Sequence, residues 1–388
     1  LMRSSAASDV YKRQNLNGYV CLQYSLLWGV LGMLVLAAAV VAGSYLYVRA
    51  YLKSDGFLAM LEQSAVDDMN VETARIDPLD WDGSGIRCGG VTMEGHEFLT
   101  SLQARNIETE FSRWELLKRA FVITSVNIAE LKLQLAPVPF RFREKPEGAR
   151  SWAEENILPD TFRLEKGSID SLSVSYGEAG RPYVLDGTRV ESAYDAGSSQ
   201  YRFEMQGGRL LLPFKGCPEF SLMSGTAQFN HASRRVNVPS CRLTTAAGGY
   251  LDIKGDWDGS SSSWTANMVV NGVPASSVLE GHWKKHVQGS VSGGIDLRGG
   301  RDGVTHVAGL ARLQGGMLTG LPVLDRLALF CGSSRFRNLP LHEASAQFAY
   351  QESAWHISNI LVESENLVRV EGLSLIHISE PTRRTPIS

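Results

Sequence analysis

An alternation of apolar and polar residues runs through most of this chain, and it constrains the fold more than any other feature. A period of two is that of a β-strand with one dry face. Glycine-rich turn clusters at 256–260 and 299–303 separate such strands at short spacing, without helix-length periodic segments between them. The sequence therefore predicts a mainly β fold, built as a long antiparallel meander of roughly 15 strands.

One face of this predicted sheet is apolar and must be removed from water. The sheet can curl on itself, meet a second sheet or hold an apolar ligand, and burial at about 25 cal/mol per Å² favours all three outcomes equally. The sequence is therefore compatible with two architectures. One is a sandwich filled by its own side chains, and the other is an open groove that binds lipid. The candidates for the groove lining are Phe203, Met205, Leu251, Ile253, Trp264, Met268, Val270, Ile295 and Leu297.

Four short helical segments interrupt the strands. Ser54 has the character of an N-cap, and Phe57, Leu58 and Leu61 follow it on one helix face. Helical turns are also predicted at 112–118, 276–287 and 323–330, the last directly after a proline.

A run of 23 uncharged, mostly apolar residues, 26–48, precedes the strands. At about 1.5 Å per residue it matches a hydrocarbon core of about 30 Å, and Trp28 and Tyr47 lie near its two ends, where aromatic rings favour the headgroups. A signal peptide is the alternative, but its apolar core would be shorter. We expect a transmembrane helix at 26–48, preceded by a short flank at 15–25.

Both chain ends have a foreign character. Residues 4–14 (SSAASDVYKRQ) and 373–383 (LSLIHISEPTR) resemble in-frame translations of sequencing-library adapters. We therefore treat 1–14 and 373–388 as artefact, exclude them from fold reasoning, and expect the natural chain to extend further at both ends.

Between these ends the chain divides into two β regions. The stretch from Pro137 to Asp160 combines four prolines with mixed charge, which is typical of a linker. We predict an amino-terminal β module with short helices at 49–138, a linker at 139–165 and a carboxy-terminal β region at 166–372.

The residues that carry common chemistries are absent or wrongly spaced. The formal net charge is −3 without a basic cluster, which argues against nucleic-acid binding. His282 and His286 have a metal-compatible spacing, but Trp283 takes the place of a catalytic glutamate and no third ligand is evident. We find no catalytic motif and expect no enzyme, metal or cofactor.

The cysteines permit one disulfide. Cys217 and Cys241 are the closest pair beyond the predicted span and could join in an oxidising compartment, whereas reduced buried thiols are the alternative.

A family resemblance adds to this interpretation. The predicted membrane helix, the short amphipathic helix, the segment 113–117 (RWELL) and the apolar strand at 121–135 resemble the amino-terminal module of AsmA-like proteins. Residues 315–318 (GGML), 324–327 (LDRL), 346–350 and 355–362 resemble the carboxy-terminal AsmA-like region. The resemblance implies an inner-membrane protein whose periplasmic β-groove, folded like a taco, conducts membrane phospholipid toward the outer membrane.

Two alternatives stay open. Arg49 and Lys53 follow the predicted span, whereas 15–25 carry no cation, so the positive-inside rule favours a cytoplasmic domain. Large domains translocate with little regard to such charges, and we expect the periplasm. The other alternative is an envelope structural or assembly factor that acts through exposed sheet edges on other envelope proteins, without carrying lipid.

Overall fold

The computed structural model describes residues 50, 54–69, 71–81, 85–95, 98–112, 120–138, 161–177, 180–213, 217–230, 232–279, 281–300, 303–351, 354–365, 367–372 and 378–379. Within them the chain forms one large mixed sheet of 21 strands, with few helices. The predicted mainly β fold is confirmed.

The strands follow the chain with short connections. The first seven are β1 (Thr73–Ile76), β2 (Leu79–Trp81), β3 (Gly85–Glu94), β4 (Leu99–Phe111), β5 (Ala120–Leu135), β6 (Thr161–Leu164) and β7 (Lys166–Tyr176). The next seven are β8 (Tyr183–Asp195), β9 (Gln200–Gln206), β10 (Arg209–Leu211), β11 (Phe220–Asn230), β12 (Arg235–Thr245), β13 (Tyr250–Asp258) and β14 (Ser263–Pro274). The last seven are β15 (Val287–Gly300), β16 (Gly303–Thr319), β17 (Asn338–Leu341), β18 (Glu343–Gln351), β19 (Ala354–Ser364), β20 (Val368–Gly372) and β21 (Ile378–Ser379).

The helices are short and lie between strands or before them. They are α1 (Asp55–Met69), α2 (Ala275–Val278), α3 (Trp283–His286) and α4 (Pro322–Phe330), with one 3-10 turn at Ser334–Arg337. Ser54 caps α1 as predicted, because its Oγ accepts a hydrogen bond from the Phe57 amide at 3.3 Å. The helix predicted at 276–287 is instead two single turns, α2 and α3.

One strand pairing corrects the prediction of a purely antiparallel meander. β5 pairs in parallel with β6 and β7, whereas the other recorded pairs are antiparallel. A parallel pair needs a crossover of a dozen or more residues, and residues 136–160 supply that length. The alternation predicts where strands lie but not in which direction they pair. The parallel pairing of β5 with β6 and β7 was therefore not predicted.

Two clusters of buried side chains form the core. The first comprises Phe220, Leu222, Leu243, Leu251 and Val273, from β11 to β14. The second joins Leu324 of α4 to Leu339 and Leu341 of β17. Because α2 and α3 follow β14 while α4 follows β16, these short helices lie beside one end of the strands.

Several predicted segments lie outside the described residues. They include the span 26–48, the flank 15–25, the turns at 113–118 and most of the linker 139–165, of which residues 161–164 form β6. Among the described helices, none combines the length and the apolar character needed to cross a membrane.

Candidate functional site

A single row of apolar or glycine residues crosses 15 strands of the sheet. Each member is the direct register partner of the next, so all of them lie on one face, here called the apolar face. The members are Leu79, Cys88, Ile107, Ile128, Ile169, Val190, Met205, Gly225, Cys241, Ile253, Met268, Ile295, Gly309, Phe348 and Ile357. At about 4.8 Å between strands the row is about 70 Å long.

All nine residues predicted to line a groove lie on this apolar face. Ile253, Met268 and Ile295 are consecutive members of the row. Leu251 and Val270 pair with each other two residues away from the row, on the same face. Phe203, Trp264 and Leu297 lie on the other side of the row, toward the opposite ends of their strands. Leu251 is buried and the other eight are half-buried.

The apolar face is closed at one end of the strands and more open at the other. At the closed end the first core cluster packs against Leu185, Leu210, Leu212 and Cys217 from neighbouring strands and a connection. Toward the other end, Trp257 is 42% exposed although it lies on the same face. The buried side chains of the first core cluster therefore lie at the closed end, whereas Trp257 is partly exposed toward the other end.

Aromatic rings line the open end. Tyr194, Tyr201 and Phe229 are successive register partners on β8, β9 and β11, and Trp257 and Trp264 are partners on β13 and β14. The ring centroids of Tyr194 and Tyr201 are 5.0 Å apart. Such rings combine apolar area with a polar atom, which suits a boundary between an apolar surface and water.

The opposite face of the same strands is polar. Its cross-strand hydrogen bonds include Arg242 to Asp252 at 2.7 and 2.8 Å, and Asn267 to Asp296 at 2.7 Å. The hydrogen bonds from Arg242 hold the pKa of Asp252 below its ordinary value. Exposed pairs of this kind contribute about 0–1 kcal/mol each to the stability of the fold. Their main consequence is that this face is polar and compatible with exposure to water.

A cavity of about 540 Å³ lies over strands β11 to β14 at the aromatic end. Most of its lining belongs to the polar face, including Gln228, Asn237, Asp256 and Thr265. These side chains offer hydrogen bonds rather than apolar area, so the cavity suits a polar molecule and not an acyl chain.

The four cysteines of the described residues are free thiols. Cys217 and Cys241, the pair that the sequence allows to form a disulfide, are both free thiols here, and both side chains pack against the first core cluster. Burial raises the pKa of both thiols, and the carboxylate of Asp252 raises that of Cys241 further. Both are therefore poor nucleophiles near neutral pH.

His282 and His286 lie side by side, with ring centroids 4.1 Å apart. Nδ1 of His286 donates a hydrogen bond to the carbonyl oxygen of Thr319 at 2.6 Å, which occupies one of its nitrogens. Across the described part of the chain, no cluster of three or more His, Cys, Asp or Glu side chains could hold a metal ion.

The sequence interpretation missed much of the row. Ile107, Ile128 and Ile169 extend the apolar face toward the amino terminus, and Phe348 and Ile357 extend it toward the carboxy terminus. The alternation within each strand indicates that these residues lie on an apolar strand face. Only the register between strands shows that they are aligned in one row.

Comparison of the chain with protein-family models, with curated proteins and with solved structures finds no match. The resemblance to AsmA-like proteins therefore stays a prediction.

Proposed function

We propose that this protein is a membrane-anchored, AsmA-like lipid carrier that binds phospholipid acyl chains along its apolar face. In this proposal residues 26–48 anchor the chain in a bacterial inner membrane, and the sheet lies in the periplasm and conducts phospholipid toward the outer membrane. The observation that carries the proposal is the row of 15 apolar or glycine residues, because it is continuous across the sheet.

The energetics of lipid transfer require such a surface. An acyl chain exposed to water costs about 0.8 kcal/mol per CH₂, which amounts to about 10 kcal/mol for an ordinary chain. The row runs perpendicular to the strands, so an acyl chain that moves along it meets an apolar side chain or a glycine at every strand. Transfer along the face then avoids the full exposure cost.

Partial burial supports a lipid-lined face over a filled sandwich. The described strands belong to one sheet, so a filled interior would require that sheet to curl onto itself. Ile253 and Met268 pack against the first core cluster and are still only half-buried, and Ile295 is half-buried outside that cluster. Lipid would complete their burial.

Lipid counting tests the proposal. The intact protein is purified with Leu297→Asp, and co-purified phospholipid is quantified by mass spectrometry. Leu297 is half-buried outside the first core cluster, so we expect the variant to fold while its phospholipid content falls at least severalfold. Val269→Asp is the matched control, because Val269 is 45% exposed on the polar face of the adjacent strand.

The outcomes separate the two interpretations of the apolar face. A wild-type protein that carries no phospholipid in repeated detergent-free preparations would overturn the proposal. Unfolding of the Leu297→Asp protein, with Val269→Asp stable, would indicate a filled interior instead.

The alternative function is an envelope structural or assembly factor that recruits other envelope proteins through a sheet edge. One observation favours it: within the described residues, β20 pairs only with β19. Val370 on this strand is 50% exposed. An open edge of this kind can accept a strand from another chain. Crosslinking from Val370 to a defined partner, together with absence of lipid, would favour this function.

A further inference from the structure

Two connections lie side by side at one end of the sheet. Residues 275–286, which include α2 and α3, join β14 to β15, and residues 320–337, which include α4, follow β16. Val287 and Leu318 are register partners at this end, and the hydrogen bond from His286 to Thr319 links the two connections directly. They therefore lie at the same end of the sheet, and their exposed side chains are together called the end patch.

The end patch exposes large apolar side chains. Phe330 is 90% exposed, Leu329 75%, Val323 60% and Trp283 53%. The inner side of α4 is already buried, because Leu324 belongs to the second core cluster and Ala328 is buried as well. The exposed side chains of α4 contribute nothing to that core. Several large apolar side chains exposed at one place on a surface indicate an interaction site.

Cations surround these apolar tips. Lys284 and Lys285 directly follow Trp283, and all three are exposed. Arg326 lies three and four residues before Leu329 and Phe330, so it shares their side of α4. The sequence of the two connections contains five lysines and arginines against two carboxylates, Glu280 and Asp325, and Asp325 is 3.8 Å from Arg337.

This combination is complementary to an anionic lipid surface. Aromatic and aliphatic side chains enter the boundary between headgroups and acyl chains, while lysine and arginine contact anionic headgroups. A strongly acidic segment of a protein would satisfy the cations, but it would leave the side chains of Phe330 and Leu329 in water.

We propose that the end patch docks on an anionic phospholipid bilayer, with Trp283, Leu329 and Phe330 inserted and the neighbouring lysines and arginines on the headgroups. This docking is separate from binding along the apolar face and does not depend on it.

Cys331 offers a direct probe, because it is exposed and adjoins Phe330. The intact chain, with Cys21→Ser so that no label attaches at that position, is held in phosphatidylcholine nanodiscs and labelled at Cys331 with an environment-sensitive fluorophore. Vesicles of phosphatidylcholine, with or without phosphatidylglycerol, are then added. We expect a blue shift with phosphatidylglycerol vesicles that weakens as salt is raised.

The variants separate the apolar and charged parts of the end patch. Lys284→Glu with Lys285→Glu should weaken vesicle binding by about tenfold or more, since each cation near an anionic surface contributes about 1 kcal/mol. Leu329→Ser with Phe330→Ser should abolish the blue shift. Val304→Ser and Lys254→Glu are matched controls, because both residues are exposed outside the end patch.

The proposal fails if phosphatidylglycerol vesicles cause no shift, if phosphatidylcholine vesicles cause an equal one, or if the patch variants bind as wild type does. A shift with polyglutamate but not with vesicles would assign the patch to an acidic protein instead. Leu297→Asp should bind vesicles normally, so failure of the proposed function leaves this result unchanged.

Discussion

The indole ring of Trp264 lies across Gly299, its register partner on the neighbouring strand. A Cβ atom placed on Gly299 would come within 2.4 Å of two carbons of that ring. Phe348 covers Gly309 in the same way, at 2.5 Å. Glycine therefore makes room on the apolar face for an aromatic ring to lie flat, an arrangement that protects a glycine within a sheet.

Replacing Gly299 with alanine should disturb this arrangement. We expect Gly299→Ala to destabilise the protein by about 1–3 kcal/mol, because both the ring and the carbonyl oxygen of Gly303 would have to move. Gly294→Ala is the matched control in the same strand, since a Cβ there meets nothing within 4 Å. That variant should be neutral or more stable by up to about 1 kcal/mol. Urea unfolding measures both, and equal midpoints for the two variants would contradict the account.

Asp258 should make stability depend on pH in the acid range. Hydrogen bonds from the Ser260 side chain and amide and from Arg235 lower the pKa of Asp258 to about 2. Since the folded pKa lies below the unfolded one, the stabilisation is present above about pH 4 and is lost as the pH falls toward 2.

Asp258→Asn tests this dependence. We expect the variant to have a lower urea midpoint than wild type at pH 7, and the two midpoints to converge as the pH falls from 4 to 2. Ser260→Ala should reduce the same pH dependence, because it removes the side-chain hydrogen bond that lowers the pKa of Asp258 most. A midpoint difference that is equally large at pH 7 and near pH 2 would show that charge on Asp258 is not the cause.

The strands and the apolar face were predictable because alternation is a local property. Trp264, Met268 and Val270 share one face in any regular strand, and so do Ile295 and Leu297. Burial of Leu324 and Ala328 likewise follows from the helical spacing after Pro322. The function of these residues stays a prediction, because a local pattern does not identify what covers them.

Other features depend on contacts between distant residues. On β4, Ala104 is buried and Ile107 half-buried although they are three residues apart, and Asn106 between them has a φ of 50°. Such an irregularity resets the alternation and leaves no clear signal in the sequence. The exposed side chains of α4 were also missed, because the same helix packs normally on its inner face.

The orientation of the chain is a separate prediction with conflicting signals. If the sheet lies in an oxidising periplasm, alkaline phosphatase fused after Gly372 should be active, because that enzyme needs disulfides to fold. Green fluorescent protein at the same position is the paired control and should be dark. An inactive phosphatase with bright fluorescence would indicate that Arg49 and Lys53 set the orientation, and periplasmic lipid transport would then be excluded.

Photo-crosslinking at adjacent positions tests the central claim most directly. A photoreactive amino acid is placed at Leu297, on the apolar face, or at Arg298, on the polar face of the same strand. Ile107 and Glu108 form the equivalent pair far along the row. The account predicts phospholipid adducts by mass spectrometry at Leu297 and Ile107 and none at Arg298 and Glu108. Adducts at neither face, or equal adducts at both members of each pair, would contradict it.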